Sequence, residues 1–306
     1  MAEKVSLPYN PITQQAPDDL MLSPRVSLDP DSLQQLLADL VGRANHPPQA
    51  ESRPLYILGQ RCGWLFAKAA QALQRLKLVE ISQDSVHIGR FMGPGPELNA
   101  LLATVATTLR QAGCAPGWRN ELLDVWPEHP LGSAASSDSR ALGAIERGVV
   151  RPLGLLTQAV HLSGWSQNGH LWVARRSLTK ATDPGMWDTL VGGLISSQED
   201  VQVGLVRESD EEAGLEAQDI ATRTPIRTIA RMLRQVPEGY QVEDVLTCEC
   251  VLPAHVIPKN RDGEVMEIQL IAPATVFSML TQGAFTLEAS IVLTEDLLRR
   301  ASPTQV

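Results

Sequence analysis

The sequence predicts an α/β (α+β) protein, a mixed sheet between helices preceded by a smaller α+β unit, and three observations carry that expectation. Helix-like and strand-like periodicities alternate in both halves of the 306 residues. A stretch poor in bulky side chains and rich in serine, Pro130 to Ser139, separates the halves. The composition, 43% apolar and 20% charged, is that of a globular chain long enough for two domains.

Taken in order, residues 1–30 contain Pro8, Pro11, Pro17, Pro24 and Pro30 with little apolar periodicity and read as an extended arm. Residues 31–42 read as a helix, because Leu33, Leu36, Leu37, Leu40 and Val41 recur at three- and four-residue spacing after Asp29-Pro30-Asp31-Ser32. Leu55 to Gly59 predicts a strand, Trp64 to Leu76 a helix, Leu78 to Ile88 one or two strands, and Leu98 to Ala112 a helix with Leu101, Leu102, Val105 and Leu109 on one stripe. Residues 31–128 thus form an α+β accessory domain, 129–142 a linker and 143–300 a second domain. In the latter, Gly154–His161 and His170–Ala174 are strands joined at Asn168-Gly169, a strong hairpin signal. Residues 198–213 are a helix, Ile226–Met232, Tyr240–Val251 and Val265–Ile271 strands, and Ala274–Leu280 a second helix.

The balance of 26 Lys+Arg against 35 Asp+Glu, a net charge of −9, argues against nucleic acid or an anionic membrane as partner, since either favours a basic face. A small anionic substrate remains compatible if a metal bridges it to carboxylates. Four scattered cysteines suit a reducing compartment, and Cys248-x-Cys250 on a strand reads as core filling. Residues Met1–Val5 lack a basic region followed by an apolar run, and nowhere do about eighteen apolar residues follow one another. A cytoplasmic protein is expected; a homodimer is left open. His161 and His170 read as polar strand ends beside the hairpin rather than zinc ligands.

One segment carries chemistry. From Gly193 to Leu215 the spacing is G-x5-E-x7-R-E-x-x-E-E-x-G followed by an aliphatic residue, with Glu199, Arg207, Glu208, Glu211, Glu212 and Gly214 at the fixed positions. Ser197 with Asp200 caps the helix start, and Gly214 suits a left-handed helix end. Glu208, Glu211 and Glu212 stand at i, i+3 and i+4, so three carboxylates share one face over about one turn. Alone they would read as a solvated acidic face. Clustered, they repel unless a cation neutralises them, and hard oxygen ligands suit Mg²⁺ or Mn²⁺. The seven fixed positions match by chance about once in 10⁸ frames, at roughly 7% per position.

Residues 193–215 resemble the Nudix box, the signature of hydrolases that cleave a diphosphate linked to another group; the one departure is Ser209, where the family has an aliphatic residue. The resemblance implies an α/β/α sandwich with a loop–helix–loop metal site in which the Gly193 carbonyl, Glu208, Glu211 and Glu212 bind Mg²⁺ or Mn²⁺. It further implies that Arg207 orients a glutamate, that Glu199 supports the loop, and that a carboxylate from a later loop completes the shell or acts as base. Glu264 is the candidate, with Asp262 its rival.

Upstream, Arg175, Arg176 and Lys180 lie at a strand end before Pro184-Gly185, where they could clamp phosphates. The run R-R-S-x-x-K-x-x-x-P-G-x-x-D to Asp188 resembles the Nudix branch related to thiamine pyrophosphokinase, as do Gly117 to Leu122, Glu146-Arg147-Gly148 and Pro258 to Val265. That branch carries an extra N-terminal domain and implies hydrolysis of thiamine diphosphate or its oxidised analogues to the monophosphate and phosphate. Trp118, Arg119, Trp187 and Asp188 would then contact a heteroaromatic ring or its diphosphate. The alternatives are a hydrolase of nucleotide diphosphates such as ADP-ribose or a dinucleotide, and a non-catalytic ligand-sensing module. The upstream run also resembles isopentenyl diphosphate isomerase, but that family relies on a cysteine shortly after it, and this chain has none between Cys114 and Cys248.

Overall fold

A computed structural model describes residues 25–131, 140–180 and 182–301. Residues 1–24 of the expected arm and 132–139 of the expected linker lie outside them. Helix α1 (Pro30–Arg43) starts where the Asp29 carboxylate accepts the Ser32 amide at 3.0 Å and Pro30 presets the first turn. Strands β1 (Arg53–Ile57) and β2 (Gln60–Leu65) form a hairpin whose turn residues Leu58 and Gly59 have φ of 53° and 76°. Helix α2 (Ala67–Leu73), strands β3 (Val79–Ile81) and β4 (Val86–Ile88) and helix α3 (Pro96–Gln111) complete a four-stranded sheet in the order β2-β1-β4-β3. The expected helix Trp64–Leu76 is thereby corrected: the tight turn folds residues 60–65 back along β1, so Trp64 pairs in a strand and helix begins only at Ala67.

Strands β5 (Leu122–Val125) and β6 (Gly143–Glu146) pair antiparallel from either side of the expected linker. With the short helix α4 (Val150–Leu153) they send Leu123, Ile145, Val149 and Leu153 into the same apolar core as Leu55, Leu65, Leu102 and Leu109. The chain then builds its main sheet from β7 (Leu156–Trp165), β8 (Leu171–Arg176), β9 (Trp187–Asp188), β10 (Val191–Leu194), β11 (Arg227–Val236), β12 (Gly239–Val251) and β13 (Val265–Ile271). Its order is β11-β12-β7-β8-β13, with β10 on β7 and β9 on β8; only β12 and β7 run parallel. The expected hairpin turn is present, with Gly169 at φ 74°.

Helix α5 (Val201–Ala213) covers one face of this sheet, burying Leu205 and Ala213 against Val160, Leu162, Cys248 and Cys250. Helices α6 (Pro273–Thr281) and α7 (Leu287–Ala301) cover the other, where Val276, Leu293 and Leu297 meet Trp165 and Val173. The result is the expected sheet between helices. Helix α7 itself is absent from the sequence reading. Its apolar residues Leu287, Ile291, Leu293, Leu297, Leu298 and Ala301 fall on one side of the axis, but Asp296 and Arg300 are buried as well, so the burial reaches well beyond that stripe. Helix α1, grouped by sequence with the N-terminal unit, packs along α7 through Leu37, Leu40, Ile291 and Val292. His161 is interior to β7 and buried, not a strand end. Among the described residues no helix is long and apolar enough to cross a membrane.

Candidate functional site

The site is built where β10 runs into α5. Helix α5 begins at Val201 rather than 198, because Asp200 caps it by accepting the Gln202 amide at 2.8 Å, while Ser197 instead donates its hydroxyl to Asp124 at 2.6 Å. At the far end Gly214 adopts φ 63°, and a Cβ there would lie 2.7 Å from the Lys259 carbonyl. Glycine therefore serves twice, turning the chain and admitting the 258–264 loop. That loop satisfies the end of the helix: the Lys259 amide donates to the Ala213 carbonyl at 2.8 Å, and those of Arg261 and Asp262 to the Glu211 carbonyl at 3.0 and 3.2 Å. Docked there, it sets carboxylate oxygens of Asp262 and Glu264 within 4.8 Å of one another and of Glu212.

The three helix glutamates sit in different surroundings. Glu212 is buried, accepts the Gly192 amide at 2.9 Å and the Lys180 ammonium at 3.2 Å, and its carboxyl is pushed up to about 7, chiefly by burial. Glu208 lies against the backbone of Gly193, and burial raises its carboxyl as well. Glu211 is half exposed. Arg207 organises this side of the site. Its guanidinium grips Glu199 through two bonds of 2.8 and 2.9 Å, and it also donates to Glu208 at 2.7 Å, to Glu211 at 3.1 Å and to the Leu194 carbonyl at 3.2 Å. The Arg207 hydrogen bonds hold Glu199 below its usual range, and Glu199 in turn accepts the Ser196 amide at 3.0 Å, tying the loop to the helix. Ser209 is fully buried, its hydroxyl without a hydrogen-bond partner among the described residues.

Lys180 is the second cation. Its ammonium also meets Glu264, and although burial alone would raise that carboxyl, the lysine's hydrogen bond and charge hold it below its usual range. The donor set fits a hard divalent ion: carboxylate oxygens from Glu212, Asp262 and Glu264 converge where positive charge is already accommodated. Of the four ligands expected from sequence, Glu212 belongs to this tight group, while Glu208, Glu211 and Gly193 flank it on the Arg207 side.

The remaining expected residues are distributed as follows. Arg176 donates to Asp188 at 2.9 Å and to the Thr182 carbonyl at 3.1 and 2.9 Å, and Arg175 donates to the Gly185 carbonyl at 3.0 Å with its guanidinium 5.8 Å from the Trp187 ring centre. These four residues shape the loop that carries Lys180, and from that run Lys180 is the one bonded to the acids. Trp118 donates its indole N–H to Asn120 at 2.8 Å and is stacked by Arg110, 4.4 Å away. Arg119 lines a cavity of about 320 Å³ shared with Arg147, Leu194 and Gln241. Sequence reasoning gave no role to Arg147 or Gly192. Arg147 pairs with Glu121 at 2.8 Å and, with Arg119, helps to lower Glu264. Its signal was there in the Glu146-Arg147-Gly148 turn, where Glu146 accepts the Arg119 and Gly148 amides at 2.7 and 3.2 Å.

Comparison with known proteins matches residues 157–289 to the NUDIX domain model. Nudix hydrolase 20, chloroplastic, of Arabidopsis thaliana is 34% identical over 203 residues, 65% of this chain and 52% of that protein. Nudix hydrolase 24, chloroplastic, of the same plant is 31% identical over 208 residues, 67% and 54% respectively. The chain thus spans about half the length of these relatives. The isopentenyl-diphosphate Delta-isomerase of Klebsiella pneumoniae subsp. pneumoniae is 30% identical over 129 residues, 42% of this chain and 68% of that protein.

Proposed function

Residues 157–289 match the NUDIX domain, and on that premise we propose that the chain belongs to the Nudix superfamily and is a divalent-metal-dependent hydrolase cleaving the diphosphate of a small organic molecule to a monophosphate and phosphate, with thiamine diphosphate or its oxidised analogues as substrate. One observation carries this reading: a loop docked on the end of α5 gathers Asp262 and Glu264 onto the buried Glu212, beside Glu208 and Glu211 on the same helix. Such an oxygen-only set, with the Gly193 carbonyl, would hold Mg²⁺ or Mn²⁺, which when bound supplies charge neutralisation to diphosphate oxygens. Arg207 keeps Glu208 and Glu199 in place. Lys180 and Arg119 offer positive charge on the substrate side. We extend the proposal to the domain division, an accessory unit to residue 128 and a hydrolase unit from 143, with α1 joined by its packing to the latter and β6 and α4 joined by theirs to the former.

The identity to an isomerase favours a second reading, double-bond migration in isopentenyl diphosphate. Against it, the resemblance implies a catalytic cysteine after the Lys180 run, and the chain has none between Cys114 and Cys248. A sensing module without turnover would be expected to lose the box glutamates, all of which are present.

The test is purified chain with Mg²⁺ and a panel of thiamine diphosphate, its oxo and oxy analogues, ADP-ribose, NADH and isopentenyl diphosphate, products being read by mass spectrometry with Glu212→Gln as blank. A thiamine-type monophosphate absent from the blank is the expected result. Turnover of nucleotides alone removes the thiamine reading, isomerisation removes the hydrolase, and no turnover of any compound favours the sensing module.

A further inference from the structure

The cavity beside the carboxylates has a wall that the hydrolytic site does not use. Glu243 on β12 stands opposite Thr157 on β7, on the face of the sheet that bears α7. The residue is 8% exposed, yet it lines the cavity. Its carboxylate accepts the Thr157 hydroxyl at 2.9 Å and the Gln241 amide at 3.1 Å, one bond to each oxygen. Each oxygen can accept a second. Among the described residues Glu243 is in no ion pair, and burial raises its carboxyl above the ordinary range. A buried acid to which no cation is bonded, Arg151 on the same wall acting on it only from a distance while paired with Glu238 at 2.6 Å, is costly to folding unless something in that space uses it.

The cavity also leads to the reacting end of the site. Leu194 on its wall follows Gly193 and offers its carbonyl to Arg207. Arg119 and Arg147 line it and act electrostatically on Glu264. At about 320 Å³ the space is at the lower end of small-molecule pockets, roughly 300–1,000 Å³, and suits one ring system rather than a large conjugate. An aliphatic tail placed there would strip water from Glu243, Gln241 and Thr157 without replacing their hydrogen bonds. A ring with polar edge atoms would replace them.

We propose that this cavity seats the non-phosphate part of the ligand as a hydrogen-bonding heteroaromatic ring, and that Glu243, held by Thr157 and Gln241, reads the edge of that ring. The assignment rests on the hydrolase reading for the position of the diphosphate, and it makes Glu243 the specificity-determining residue that discriminates heterocycles from isoprenoid tails.

The experiment is calorimetric titration of the full chain in EDTA with thiamine monophosphate, AMP and isopentenyl monophosphate, using wild type, Glu243→Leu and Glu243→Gln. The expected result is that wild type binds at least one of the two ring compounds about tenfold or more tighter than the isopentenyl compound, and that Glu243→Leu removes that preference. Which ring compound wins separates a thiamine-type from a nucleotide ligand. Should Glu243→Leu fail to fold, Glu243→Gln and Thr157→Val, which keep the shape of the wall, are expected to reduce the preference in the same direction. Equal losses for all three probes, a preference for the isopentenyl compound, or no binding of any probe overturns the assignment. Parallel turnover of the matching diphosphates with Mg²⁺ separates the two claims. Ring-selective binding without hydrolysis removes the hydrolase and keeps the ring cavity, whereas hydrolysis indifferent to Glu243 removes the ring cavity alone.

Discussion

Replacing Gly193 by alanine separates what the site needs from what the fold needs. A Cβ at this position would meet all three atoms of the Glu208 carboxyl well inside the 3.0 Å that real Cβ atoms essentially never show. Gly193 does not have positive φ, so alanine is not strained by its backbone, and losing glycine's freedom in the unfolded chain contributes about 0.4–1 kcal/mol of stability. The obstructing atoms are the far end of a flexible side chain. Glu208 therefore retreats, by about 1 Å, weakening its 2.7 Å bond to Arg207 while Arg207 keeps its double grip on Glu199. A weakened charge-assisted bond costs about 1.5 kcal/mol, so the net stability change is within about 1 kcal/mol, a shift in Tm of a few degrees. Displacing a metal-side carboxylate by about 1 Å costs roughly a hundredfold in turnover. Turnover with Mg²⁺ on the best substrate of the panel, beside thermal unfolding without metal, reads both. Turnover within about threefold of wild type, or a collapse in Tm, would show that the approach of Glu208 to Gly193 is not what holds the site.

Three further outcomes are expected. Gly63→Ala presents the same kind of clash to immovable atoms, the carbonyls of Gly154 and Leu153 at 2.5 and 2.6 Å, and so should cost about 3 kcal/mol by urea unfolding, a loss Gly193→Ala does not share. All four cysteines are buried, with the Cys62 and Cys248 thiols pushed up to about 12 by burial, so a thiol reagent at pH 8 should label none rapidly in the folded protein and four in denaturant; rapid labelling of either would contradict the packing. Between its ordinary 4.5 and its raised value of about 7, folded Glu212 holds a proton that the unfolded chain releases, so its contribution to stability is greatest below 4.5 and falls as pH rises to about 7. In EDTA that loss is about 3 kcal/mol at most, and it should vanish in Glu212→Gln; an unchanged slope assigns the proton to another group.

The order of elements was legible wherever one face is buried. Helix α3 follows its apolar stripe and the Asn168-Gly169 turn was fixed by its own chemistry, whereas β12 is buried on both faces and β13 leaves Met266 and Leu270 exposed. What was hidden depended on partners distant in sequence. Strands β9 and β10 are two and four residues long, two of them glycines, and exist because β8 and β7 supply the ladder. Helix α7 is buried beyond its apolar stripe, since Arg300 and Asp296, polar by composition, are interior as an ion pair of 2.8 Å beneath Trp165. In the site, the box places the carboxylates and Arg207 on one helix, but the cavity needs Arg119, Leu194 and Glu243 from three separate stretches of chain. No local pattern marks such a meeting, since Gln241 and Glu243 share β12 with the equally buried Asp244, Thr247 and Glu249.

Three glutamates at i, i+3 and i+4 are equivalent on a helical wheel, yet their side chains are 12%, 46% and 8% exposed. The difference comes from the neighbours. Glu211 faces solvent and shares only Arg207, so its charge is screened and costs little. Glu208 is pressed to a glycine backbone and held by the same arginine. Glu212, the most buried, has an amide and a lysine as partners and is the one on which the 258–264 loop converges. Of the six acids Glu199, Glu208, Glu211, Glu212, Asp262 and Glu264, five are paired with only two cations, Arg207 and Lys180, while Arg119 and Arg147 act on Glu264 from further away. A deficit of that size is tolerated on an open surface, where water screens it, but not where one of the six is nearly dry. The docking of the loop on α5 therefore determines both where cation affinity is concentrated and which glutamate must share its charge, and neither follows from the spacing of the acids alone.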